Sequence, residues 1–322
     1  MEIEAKVRER FCKNLDIPIK LYHEPYFNDR LKLFDPFYNT LSKWKDFTKE
    51  LKKYTSMEDY FAEYDRVKEE TIASIKGTLG YEKFNQMDLG KCRVKNTQFS
   101  SHSIFKDPNV DRFFISIDQR QANFTALHHF DDSIFGGAAT WEEFLSRFTD
   151  NQSIINSKFV RSVILGNCNP KRHMTYEKFL MDSLLSRLLE SVIDTFRIGC
   201  FLHDEIVIDV TDLRESERFS LLSSVKGIAS TMPSYFTIKL FSLHKITGIR
   251  EGYWEKIYRE DNSYGVEFKC VPNLMLSFVL RKFLGQESLP SDEVFWFEGM
   301  PAQLLRIPEI NFGGTVPKEF SC

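Results

Sequence analysis

FLHDEIVIDV, residues 201–210, sets His203, Asp204 and Glu205 in the middle of a run that is otherwise apolar and rich in β-branched residues. Such a run reads as a strand, yet an unpaired carboxylate buried in a strand is costly. The conflict resolves if the acidic residues sit at a tight strand–turn–strand junction and face cations. A second run, RFFISID at 112–118, is also apolar and also ends in an aspartate. If the two runs are neighbours in one antiparallel sheet, Asp118 and Asp204 meet although 86 residues separate them. Two carboxylates about 4 Å apart repel unless cations stand between them. Hard oxygen ligands suit Mg²⁺, with substrate phosphates completing the octahedron. Two such ions stabilise the attacking and leaving oxygens of a phosphoryl transfer. The plainer reading is that aspartates end strands because Asp favours turns, and spacing alone leaves both open.

The neighbouring segments give the order strand, helix, long helix, strand, helix, strand. QANFTALHHF (121–130) has a helical look, and TWEE (140–143) fits a capping box that opens a helix running to about Arg147. YEKFLMDSLLSRLLESVIDTF (176–196) repeats apolar residues at helical spacing and predicts a long helix. A helix is expected near 212–230 and a strand at 235–243. Upstream, residues 40–75 read as helical, and 77–110 as loops and short strands. HHFDD (128–132) has metal-like residue types, but a polar helix end explains it better.

The chain has 322 residues and a net charge of −3, so no overall positive field marks it for nucleic acid. Residues 259–322 hold six Lys/Arg against nine Asp/Glu, while the rest of the chain balances. That acidic tail is a poor holder of nucleic acid and is expected to meet a protein partner instead. The lysines of LSKWKDFTKELKKY (41–54), among them Lys49 and Lys53, either form a solvated helical face or grip a phosphate backbone. The six cysteines form no CxxC pair and read as free thiols in a reducing compartment. With a charged N-terminus and no long apolar stretch, the expectation is a soluble intracellular chain without a membrane partner.

At this point the motifs resemble those of the DNA polymerase I-like (family A) polymerases. FLHDEIVID resembles that family's motif C, and ISIDQRQANFTAL (115–127) its motif A, with Asp118 at the metal-binding aspartate and Gln121 at the following glutamine. FNQ (84–86), Arg93 and DPNV (107–110) match the segment before the palm. VRSVILGNCNP (160–170) can be laid on motif B, with Arg161 at its lysine, and KRHMTYEKFLMDSLLSRLL resembles the helix before motif C. The likeness covers roughly residues 80–255. It departs from the family at Asn123, where members carry the glutamate that helps exclude a ribose 2′-hydroxyl, and in motif B, where Asn169 and Pro170 replace tyrosine and glycine.

The resemblance implies an α+β, right-hand polymerase-like fold: an antiparallel palm sheet flanked by helices, a helical thumb and reduced fingers. It divides the chain into a thumb-like region (1–100), a palm (101–258) with fingers inserted at about 130–175, and an acidic extension (259–322). It implies a template-directed nucleotidyltransferase that extends a primer on DNA or RNA with nucleoside triphosphates, and suggests a viral, phage or mobile-element setting. Asp118 and Asp204 would hold two Mg²⁺ ions, with Mn²⁺ as an alternative. Glu205 would be the third catalytic carboxylate, either behind the metal ligands or on the primer side, and is expected to point the other way from its neighbour Asp204. Arg161, Lys158, Arg172 and Asn123 would meet the nucleotide. Arg93, Gln121, His203, Lys49 and Lys53 would contact nucleic acid. The alternative is a catalytically reduced polymerase fold that serves as a nucleic-acid- or protein-binding subunit.

Overall fold

The computed structural model describes residues 4–232, 236–248, 252–260 and 263–314. Five helices come first: α1 (Ala5–Asn14), α2 (Tyr26–Tyr38), α3 (Thr40–Leu51), α4 (Met57–Lys76) and α5 (Leu79–Gln86). Then follow β1 (Arg112–Gln119), α6 (Ala122–Phe130), α7 (Trp141–Leu145), α8 (Gln152–Ile155), α9 (Lys158–Gly166) and α10 (Pro170–Ser191). The hairpin β2 (Ile198–Phe201) and β3 (Glu205–Asp209) leads to α11 (Glu215–Ser230), β4 (Phe236–Thr247), β5 (Tyr253–Glu260) and β6 (Ser263–Lys269). The last described elements are α12 (Asn273–Phe283), β7 (Val294–Phe297), β8 (Met300–Gln303) and β9 (Asn311–Phe312).

The fold is α+β, with an antiparallel sheet flanked by helices. Its strands run β2-β3-β1-β4-β5-β6, β9 adds to β4, and β7 pairs with β8 separately. Side chains alternate across the pleat, and β1 uses both faces. Ile115 and Ile117 pack with Ile206, Ile208 and Leu240 against Met181, Leu184 and Leu188 of α10 and Val225 of α11. Phe114, Val207, Phe241, Leu243 and Trp254 cover the other face with Ile104. Beyond this apolar patch the same face turns polar at Ser116 and Asp118. The helices gather around an aromatic core that includes Phe11, Phe27, Phe47, Tyr60, Phe84 and Trp141.

Several expectations hold with small shifts. The long helix begins at Pro170, whose missing N–H suits the first turn. Thr140 accepts from the Glu143 N–H at 3.1 Å, while the Glu143 carboxylate takes the N–H of Ala139 instead of the N-cap's own. The strand expected at 235–243 runs Phe236–Thr247, and Tyr235 lies outside the described residues. Within 77–110 the expected short strands are absent among the described residues. Thr78 caps α5 there, because Tyr81 and Phe84 share a helical face that is buried.

The division at residue 258 is corrected: it falls inside β5. The sheet continues through β6, whose ladder with β5 runs from Trp254↔Lys269 to Glu260↔Ser263. Further on, buried Asp292 accepts from both Arg30 of α2 and Arg281 of α12. β6 and α12 are thus part of the main sheet and helical core, and residues 261–262 and 315–322 lie outside the described residues. Among the described residues no helix is long and apolar enough to cross a membrane.

Candidate active site

The β2–β3 turn is held at three points. Leu202 N–H donates to Glu205 O at 2.8 Å, which closes the turn. Lys178 of α10 reaches across and donates to the carbonyls of Phe201 and Leu202, at 2.8 and 3.0 Å. Gln119, at the end of β1, donates its backbone N–H to Asp204 O at 2.8 Å. The β1–β3 register sets Asp118 opposite Glu205. Opposed residues in an antiparallel ladder share a face, so Glu205 stands beside Asp118. The expectation that it points to the other side is corrected.

Asp118, Gln119, Asp204 and Glu205 line one open cleft of about 800 Å³, together with Gln121, Asn123, Lys158, Arg161, Glu177, Lys239, Lys256, Glu267 and Lys269. Partial desolvation, and then the charge of Asp204, raise the Asp118 pKa above the usual carboxylate range, against the pull of Lys256, Lys269 and Lys158. Burial also raises Glu205, opposed by Lys256. Glu177, on α10 and 6% exposed, is pushed up to about 7 by burial and by Asp204. Three neighbouring carboxyls that favour protonation mark a place where positive charge is in demand.

Two of the four expected nucleotide contacts carry cationic groups into the cleft. Lys158 does so while paired with Asp16 at 2.8 Å, an exposed pair that water competes with. Arg161 is half-buried; its Nε has no hydrogen-bond partner, and desolvation lowers its pKa. Asn123 lines the cleft but its Oδ1 accepts from the Phe124 N–H at 2.9 Å. Arg172 is corrected. Its guanidinium donates to Phe84 O at 3.1 and 2.9 Å and to Met87 O. It thereby satisfies the open carbonyls at the C-terminal end of α5, and it does not line the cleft.

The expected nucleic-acid contacts divide. Gln121 lines the cleft and donates to Glu142 at 2.8 Å. His203 is exposed in the turn and is not part of the cleft wall. Neither are Arg93, Lys49 or Lys53; the last pairs with Glu50 at 2.9 Å. Sequence reasoning missed Glu177, Lys178, Glu142 and the group on β4–β6. For Glu267 and Lys269 a signal existed, since residues two apart in a strand share a face.

Among the described residues no three His, Cys, Asp or Glu side chains are grouped to ligate one ion. A Mg²⁺ ion bound through one or two carboxylates, with substrate phosphates and water as its other ligands, does not require such a group. The mutually repelling Asp118 and Asp204 fit that mode. Comparison of the chain with protein-family models, with curated proteins and with solved structures gives no match.

Proposed function

We propose that this cleft catalyses template-directed nucleotidyl transfer, as a compact and divergent relative of the DNA polymerase I-like (family A) polymerases. The observation that carries the reading is the convergence of Asp118, Asp204 and Glu205 in a cleft that also holds Lys158 and Arg161. In this reading the sheet is the palm, the α6–α9 segment is a reduced set of fingers, and the N-terminal helices form the thumb.

Asp118 and Asp204 would hold the divalent ions. Bound Mg²⁺ or Mn²⁺ supplies Lewis acidity that makes a hydroxyl more acidic and offsets charge on the phosphoryl group. Arg161 offers a planar fork of donors with its Nε unpartnered, suited to phosphate oxygens. Lys158 releases Asp16 and adds a second cation to the same triphosphate. Glu205 lies beside Asp118 and orients the primer's terminal sugar. Asn123 carries no charge toward the sugar, so discrimination against a 2′-hydroxyl is weak.

The test is primer extension with deoxy- and ribonucleotides on DNA and RNA templates, with Mg²⁺ or Mn²⁺. The expected result is metal-dependent extension that Asp118→Asn and Asp204→Asn each abolish. Extension that persists in both variants ends the proposal. The second reading, a non-catalytic binding subunit, is favoured by Arg172 being occupied in the fold, and among the described residues no three acidic side chains are grouped to hold a metal. It predicts nucleic-acid or protein binding with no extension under any of these conditions.

A further inference from the structure

We infer that Lys239, Lys256 and Lys269, gathered on Glu267, form a subsite for a backbone phosphate of the nucleic-acid strand whose end reaches Asp118. The inference rests on the proposed reaction for its setting, but its geometry stands alone. The three lysines come from β4, β5 and β6, and their side chains share the sheet face that carries Asp118 and Glu205. Their ammonium groups converge on one carboxylate: Glu267 lies 3.3 Å from Lys239, 3.9 Å from Lys256 and 2.8 Å from Lys269.

Aromatic rings seat two of these ammoniums. Lys239 Nζ lies 3.6 Å from the Tyr258 ring centroid and Lys256 Nζ lies 4.3 Å from that of Phe241. Such seating fixes the cations before a ligand arrives. Crowding three like charges is unfavourable unless an anion joins them. Glu267 serves as the internal anion, and its side chain is still 29% exposed on β6. An incoming phosphate offers more acceptor oxygens and more charge than the carboxylate it displaces.

The choice of a strand phosphate over the triphosphate follows from the other cations of the cleft. Lys158 and Arg161 belong to α9, whereas the lysine group sits on the sheet, where Lys256 and Lys269 act on both Asp118 and Glu205. A bound strand has to lay its backbone somewhere beside those carboxylates. The sheet lysines offer that seat while α9 serves the triphosphate. Contact through phosphate alone makes the subsite blind to base sequence.

The experiment measures binding by the full-length chain in EDTA, with no chemistry. The probes are a labelled primer–template duplex and, separately, a labelled nucleoside triphosphate, each titrated across a salt series. The variants are Lys269→Gln, Lys239→Gln and Glu267→Gln, with thermal melts to verify folding. Lys269 is 39% exposed, so its variant is the safe one should another fail to fold. Each lysine variant is expected to weaken duplex binding about three- to tenfold at low salt and to lower the salt slope by about 0.9. Glu267→Gln is expected to tighten duplex binding, and triphosphate affinity should stay unchanged throughout.

Unchanged duplex affinity and slope in folded lysine variants overturns the inference. So does loss of triphosphate affinity alone, or a wild-type chain that binds no duplex. Lysine-dependent duplex binding without extension removes the proposed reaction and leaves the subsite. Extension with lysine-independent binding removes the subsite and leaves the reaction.

Discussion

Asp118 stands directly across the β1–β3 ladder from Glu205, and the backbone N–H of the next residue, Gln119, is bonded to the carbonyl of Asp204. One hydrogen bond and one register position therefore bring the backbones of three acidic residues to one cleft. Like charges opposed on a ladder are destabilising; burial first raises both pKa values, with the charge of Asp204 adding at Asp118 and the charges of Asp118 and Asp204 adding at Glu205.

The closeness of the pair can be read without activity. In Asp204→Asn the Asp118 carboxyl should titrate at lower pH than in wild type, because the second cause of its upward shift is gone. Carboxyl-detected NMR measures this. An unmoved Asp118 titration would mean that the two groups do not interact. In the extension assay the same variant should lose at least about a thousandfold in rate, the scale typical when one member of a catalytic unit is removed.

Arg161 and Arg172 should separate cleanly. Arg161→Ala removes a guanidinium with an unpartnered Nε, so nucleotide KM should rise about tenfold or more, the loss of one charged hydrogen bond. Its melting temperature should hardly move. Arg172→Ala opens the carbonyls of Phe84 and Met87, so stability should fall by about 1–3 kcal/mol with KM unchanged. Chemical denaturation and steady-state kinetics on both variants decide it, and a KM effect at Arg172 would restore its nucleotide role.

Asp292 ties the C-terminal segment to the helices. With Arg30 and Arg281 left to share the more exposed Asp29, Asp292→Ala should destabilise the chain by about 3–5 kcal/mol, as when one partner of a buried ion pair is removed. Deletion of 259–322 should then give an unfolded chain, since it also removes β6 and α12. A cooperatively folded 1–258 fragment in denaturant melts would contradict this.

The pH dependence of stability should carry the mark of Glu255. It is wholly buried on β5, and burial lifts its pKa from the ordinary 4.5 to about 7. A carboxyl raised in the folded state binds its proton more tightly there than in the unfolded chain. Its contribution is fully present below about pH 4.5 and is lost as pH rises to about 7. Glu255→Gln should therefore raise stability by on the order of 1–3 kcal/mol at pH 8 and change little at pH 4. Denaturant midpoints at the two pH values test it, and equal effects at both would remove the titration.

The local elements were legible because their signals are periodic. Residues 176–191 show an apolar stripe, β1 and β3 read as apolar runs, and Thr140 announces its helix by a capping pattern. Arg172 misled because an arginine at the start of a helix looks alike whether it faces a phosphate or a neighbouring helix end. The acidic sum of residues 259–322 says nothing of direction: Lys269 turns into the cleft although its segment is acidic.

By itself the sequence determined which residues carry acidic chemistry, and that the tract at 201–210 must break at its polar centre, since charge cannot sit unpaired in a dry strand. Only the tertiary structure decided which groups share a space. Glu205 joined Asp118 through ladder register, Arg172 was taken by carbonyls 85 and 88 residues away, and three strands brought Lys239, Lys256 and Lys269 to Glu267. Long-range register and helix-end packing depend on contacts distant in the chain, and no local pattern encodes them.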